Sequence, residues 1–122
     1  MKVTWIDHKG KKVLFSNYEG CKTSKEMIDV LYQEAEILKN QQGKTLVMAN
    51  YDKSFGSAEY MEALKKVSNE VLKEKIEKTA TLGITGVKEA LFKGYIFFTN
   101  QKNVKLFYDK DEALDWLTQD SK

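Results

Sequence analysis

Short runs of β-branched and aromatic residues alternate along the chain with longer stretches whose apolar positions recur at helical spacing. Val3–Asp7 and Lys12–Tyr18 read as two strands, and His8-Lys9-Gly10-Lys11 between them reads as a hairpin turn. Thr23-Ser24-Lys25-Glu26 is a Ser/Thr-x-x-Glu capping box. The apolar positions behind it, Met27, Ile28, Val30, Leu31, Ala35 and Leu38, predict a helix. Gly43 suits the left-handed position that closes it. Thr45–Tyr51 is a continuous apolar run, the pattern of a strand covered on both faces.

The second half repeats the alternation. After the polar loop Asp52–Ser57, Ser57 is placed to cap a long helix carrying Tyr60, Met61, Leu64, Val67, Val71, Leu72 and Ile76. Thr79–Thr85 reads as the next buried strand, and Gly86 turns the chain into a helix that runs to about Thr99. Val104–Tyr108 is a last strand. Asp109 and Glu112 frame the start of a closing helix, Glu112–Leu117. The order β-β-α-β-α-β-α-β-α predicts one α/β domain spanning 1–122. Its sheet is expected to have four or five strands, mostly parallel, with an antiparallel N-terminal edge strand.

Composition narrows the chemistry. The 122 residues hold 20 basic and 18 acidic side chains, a formal net charge of +2. Every basic residue is lysine, so no guanidinium fork is available for bidentate phosphate or guanine recognition. The small net charge is a weak footprint for nucleic acid, and no nucleic-acid partner is expected. Basic and aromatic residues do interleave between Phe92 and Phe107, but most of those aromatics are needed for the core. One histidine (His8) and one cysteine (Cys21) cannot build a His/Cys zinc site, so neither a metal nor another cofactor is expected. No disulfide can close within the chain, which favours a reducing compartment and a cytoplasmic location. Met1–Lys12 lacks the apolar stretch of a signal peptide. Runs such as Tyr95-Ile96-Phe97-Phe98 fall far short of the ~20 residues of a membrane span.

Several positions are candidate sites. Ser57 and Ser54 lie where a helix N-terminus would welcome a phosphate, making them candidates for a phosphorylation or partner switch. The competing role for Ser57 is an N-cap. Thr85, Gly86 and Lys88 lie at a strand-to-helix turn of the kind that binds ligands in open α/β sheets, with Lys88 offering charge to an anion. The competing reading is a tight turn that needs glycine. Gly43-Lys44-Thr45 is not a phosphate loop, because it runs from helix to strand and Leu38 stands where the earlier glycine belongs. His8 beside Asp7 reads as an exposed turn residue, Cys21 as incidental. The pairs Glu34/Glu36 and Asp109/Asp111 read as solvated-face or capping residues. On a helical wheel of Val87–Phe98, Phe92 and Ile96 fall outside the apolar arc, among Lys88, Glu89 and Lys93. An exposed pair of that kind suggests a homodimer interface.

Two strings carry a family resemblance. Lys105-Leu106-Phe107-Tyr108-Asp109 followed by Glu112-Ala113-Leu114-Asp115-Trp116-Leu117 resembles the closing F-D-x-x-E-E-A-x-x-W-L segment of SpoIIAA-like proteins in the STAS/CRAL-TRIO-type superfamily. Thr79–Val87 is similar to that family's strand ending in A-V-V-G-V-x-G-L. The resemblance covers Val13 to Leu117 and implies a STAS-like fold and a non-enzymatic role in regulation or protein–protein contact. Under it, the loop Asp52–Ser57 and the helix after it form the partner surface. Ser54-Phe55-Gly56-Ser57-Ala58-Glu59 replaces the Asp-Ser-Ser-Gly-Leu context of the phosphorylated members. The CRAL-TRIO side implies the alternative, a carrier of a small apolar or lipid ligand. Its pocket would be walled by Met61, Leu64, Phe92, Phe97 and Phe98, and would need an apolar cavity of at least ~300 Å³.

Overall fold

The structure, a computed structural model, describes residues 2–99 and 103–119, and within them all side chains but those of Val87, Phe97, Phe98 and Thr99. Strands β1 (Val3–His8) and β2 (Lys11–Asn17) pair antiparallel, with Val3 opposite Ser16 and His8 opposite Lys11. Lys9 and Gly10 take φ of 52° and 80°, the two positive values that let a two-residue turn follow the twist of its strands. Strands β3 (Thr45–Asn50), β4 (Ile76–Leu82) and β5 (Val104–Phe107) each add in parallel to the strand before. The result is a five-stranded sheet in the order β1-β2-β3-β4-β5, mostly parallel with an antiparallel N-terminal edge. That is the α/β architecture the hydrophobic pattern predicts.

Helix α1 (Ser24–Lys39) starts at Thr23, whose side chain accepts from the Glu26 amide as the capping box requires. Helix α2 (Ala58–Val67) passes into a π-helical turn, Ser68–Leu72, and a last α-helical turn, α3 (Lys73–Lys75). In the π turn the Lys73 N–H reaches back five residues to the Ser68 carbonyl, and Ser68 and Leu72 are both buried. This helical stretch ends earlier than the sequence predicts. Ile76 opens β4 instead of closing the helix, because a buried apolar side chain there fits either pattern. Helices α4 (Val87–Thr99) and α5 (Lys110–Thr118) complete the chain, with Asp109 capping α5 through the Glu112 amide.

Strand alternation sorts the core into two layers. Leu14, Val47 and Ala49 face α1, α2 and α4, packing with Met27, Leu31, Leu38, Leu64 and Phe92. Val13, Leu46, Met48, Ala80 and Leu82 face the other way, against Ala113, Leu114 and Leu117 of α5. Three long helices therefore cover one side of the sheet and a single nine-residue helix covers the other.

Candidate functional site

The loops that follow β2, β3 and β4 meet at the carboxyl edge of the sheet. Two backbone bonds extend the ladder into them, Tyr18 N–H to Asn50 O and Tyr51 N–H to Leu82 O, both 2.8 Å. The Phe55 N–H donates to the Cys21 carbonyl at 2.8 Å, tying the β3–α2 loop to the β2–α1 loop. Gly83 has φ +78, and a Cβ there would sit 2.3 Å from the Asp52 amide nitrogen. Only glycine lets the β4–α4 loop approach the β3–α2 loop this closely.

Of the sequence-predicted residues at this edge, Ser57, Ser54 and Lys88 have structural partners. Ser57 is 4% exposed; its hydroxyl caps α2 by accepting from the Tyr60 N–H at 3.0 Å and lies 2.6 Å from the Ser24 hydroxyl. A phosphate on Ser57 requires that Ser24 contact to open. The Ser54 hydroxyl donates to the Tyr51 carbonyl at 2.6 Å, and the Lys88 ammonium donates to the same oxygen at 2.8 Å. Lys88 thus stabilises the loop that precedes α2. Thr85 is exposed, and Gly86 makes the turn with φ 60.

The placement of Phe92 and Ile96 on an exposed face is corrected. Phe92 is 4% exposed, edge-on to Tyr51 at 5.4 Å between ring centroids, and in contact with Tyr95 at 5.5 Å. Ile96 packs against the same core. The inward face of α4 is turned by about a quarter of a revolution from the one the wheel suggests. Lys88 explains the difference: a lysine on the inward side looks like a marker of solvent, yet its ammonium reaches a backbone carbonyl. Ala90, counted as inward by the wheel, is exposed.

A second feature is one the sequence pattern reads otherwise. Glu34, expected on a solvated face, is 5% exposed and lies among Met27, Val30, Leu31 and Leu38 on the inner side of α1. Its carboxyl accepts from the buried Ser16 hydroxyl. Burial pushes Glu34 up to about 7, partly offset by the Ser16 hydrogen bond. Around it are three buried tyrosines, with Tyr18 stacked on Tyr51 at 4.5 Å and the Tyr51 and Tyr60 hydroxyls 2.5 Å apart. Desolvation holds all three phenols above their ordinary range. The spacing of Glu34 from Val30, Leu31 and Leu38 is the sequence signal that could have found it.

The spaces in the fold differ sharply in size. The void among Glu34, the tyrosines, Leu64 and Phe92 is about 30 Å³, room for a water molecule. Another beside Met61 and Phe92 is about 10 Å³. Of the walls expected for an apolar carrier, Leu64 and Phe92 border these small voids, and Met61 also borders an open groove of about 210 Å³ between α2 and α4, below the ~300 Å³ such a carrier needs; Phe97 and Phe98 lie outside the described side chains. A larger space, an open groove of about 570 Å³, lies at the carboxyl edge on the α5 side of the sheet, bordered by Asn17, Asn50, Asp52, Thr85 and Tyr108.

Away from this edge, His8 bonds Asp115 of α5 at 2.9 Å, across the sheet from its neighbour Asp7, and Lys9 makes a 2.9 Å ion pair with the same carboxylate. Hydrogen bonds from His8 and then Lys9 hold Asp115 below the usual carboxylate range. Cys21 is buried, and desolvation raises its thiol where a helix start would lower it. Among the described residues no group of three His, Cys, Asp or Glu side chains is arranged to hold a metal ion, and no helix is long and apolar enough to cross a membrane. Compared with known proteins, the chain matches no family model and no curated sequence.

Proposed function

We propose that the chain is a non-catalytic protein-interaction domain of the SpoIIAA-like, STAS kind, acting in the cytoplasm through its β3–α2 loop. The observation that carries this reading is Phe55. Its side chain is 45% exposed on a loop fixed from both ends, by its own N–H to Cys21 and by Ser54 and Lys88 to Tyr51. An exposed aromatic side chain on a backbone tied down in this way is well suited to anchor a partner at low entropic cost. The water-sized void in the helix-covered core favours this reading over an apolar carrier. A free, buried cysteine accords with a reducing compartment. Self-association through Phe92 is not part of the proposal, since that ring belongs to the core.

A photo-cross-linking residue at Lys53, introduced in the native host, tests the surface. One discrete protein adduct is expected there and none from Tyr32, an exposed aromatic on α1. The variant Phe55→Asp should remove the adduct and leave the thermal midpoint unchanged. Equal adducts from both positions, or an adduct that survives Phe55→Asp, would overturn the reading.

A further inference from the structure

Helix α5 spans nine residues, about 13 Å, and leaves the carboxyl ends of the strands bare on its side of the sheet. Alternation brings Phe15 and Asn17 of β2, Asn50 of β3 and Leu82 of β4 to that bare floor. The groove above it, about 570 Å³, is within the size range of small-molecule sites and lies where open α/β sheets present their ligand-binding loops. Its floor is ordered. Asn50 Nδ2 donates to Asn17 Oδ1 and to Glu19 Oε1, both at 3.3 Å, and Asn50 Oδ1 accepts from the Asp52 N–H at 3.1 Å. Asn17 Oδ1 also accepts from the Glu19 N–H, so the amide N–H groups of Asn17 remain as donors. Among the described residues, the Asp52 carboxylate, the Thr85 hydroxyl and the Tyr108 phenol have no hydrogen-bond partner in the fold.

Three properties specify the occupant. Donors and acceptors stand side by side, the pattern that hydroxyl groups satisfy because each both gives and accepts. Tyr108, 74% exposed, offers a ring face at the rim for apolar C–H groups. Among the described residues that line the groove, Glu19 and Asp52 outnumber the one cation, Lys110, whose ammonium lies 5.3 Å over the Phe15 ring. That balance disfavours phosphates and carboxylates. We propose that this groove binds a neutral saccharide, through Asp52, Asn17 and Thr85 to its hydroxyls and Tyr108 to its ring face. The inference stands apart from the protein-contact reading and fails or holds without it.

Saturation-transfer NMR and calorimetry on the full chain supply the test, with glucose, galactose, mannose and cellobiose as probes and glucuronate as the anionic counterpart. Saturable binding in the millimolar range is expected for a neutral sugar, with glucuronate weaker. Tyr108→Ala and Asp52→Asn, both at exposed positions, should each weaken it by about tenfold while the circular dichroism spectrum stays unchanged. Binding of cellobiose alone identifies the end of a glycan chain as the source, and binding of a monosaccharide identifies the free sugar. The proposal is overturned by no saturable binding of any neutral probe at about 50 mM. Affinity that neither substitution changes, or glucuronate binding as tightly as glucose, would overturn it as well.

Discussion

Glu34 makes the stability of this protein depend on pH in the direction opposite to most carboxylates. Burial raises it from 4.5 to about 7. Between those values the folded chain retains a proton that the unfolded chain has released, so stability falls as pH rises through the window and levels off above it. Glu34→Gln keeps the shape and removes the charge. At pH 8 the variant should be more stable than the parent by roughly 1–3 kcal/mol, and near pH 4 the two should be alike. Urea unfolding at both pH values checks this; a difference that does not change with pH would remove Glu34 as its cause. Phe92 gives the second expectation at this scale. Phe92→Ala should cost roughly 3–5 kcal/mol, because it opens a hole beside Tyr51 and Tyr95. An exposed phenylalanine would lose almost nothing, so chemical denaturation separates the core placement from the surface one. Asp115 behaves in the ordinary sense: held low by His8 and Lys9, it contributes stability above the usual aspartate range that is lost as pH falls through its own value.

Among the elements, the capping boxes and the period-two and helical patterns were readable because they depend on neighbours in sequence. Thr23, Ser57 and Asp109 each accept the helix N–H that their position predicts. What sequence spacing does not carry is the rotation of a helix about its axis when a charged residue lies on its buried side. That is the case for Lys88 on α4, whose partner is the Tyr51 carbonyl; Glu34 lies on the face of α1 that the spacing marks, and only its partner, the Ser16 hydroxyl of a distant strand, is out of the sequence's reach. The groove was half visible: Thr85 marked one wall of it, while Asn17, Asn50 and Asp52 come together only through the parallel register of β2, β3 and β4. The Ser57 cap is also a junction between helices, through Ser24. Ser57→Ala should therefore cost about 1–2 kcal/mol, with the Ser24 hydroxyl left without that partner. Thermal unfolding measures it, and a midpoint equal to the parent's would show the junction to be dispensable.

Across the whole molecule, the uneven cover of the sheet sets where the fold opens first. Among the described residues, the α5 layer rests on eight buried side chains, with Phe107 and Trp116 only partly covered, whereas the opposite layer joins twenty. Amides of α5 should exchange with solvent through a local opening that leaves β3 closed. Native-state hydrogen exchange reads this directly: protection in α5 equal to that in β3 would mean one cooperative unit and no separate opening.

The strand order has a consequence for how the chain is assembled. Each strand lies beside the one made just before it, from β1 to β5, and none must be threaded between two already in place. Every pairing after the hairpin closes a loop of one helix and its turns, so the entropic cost of each step is similar and modest. A sheet of this order can grow in the direction of synthesis, each new strand finding its template already folded.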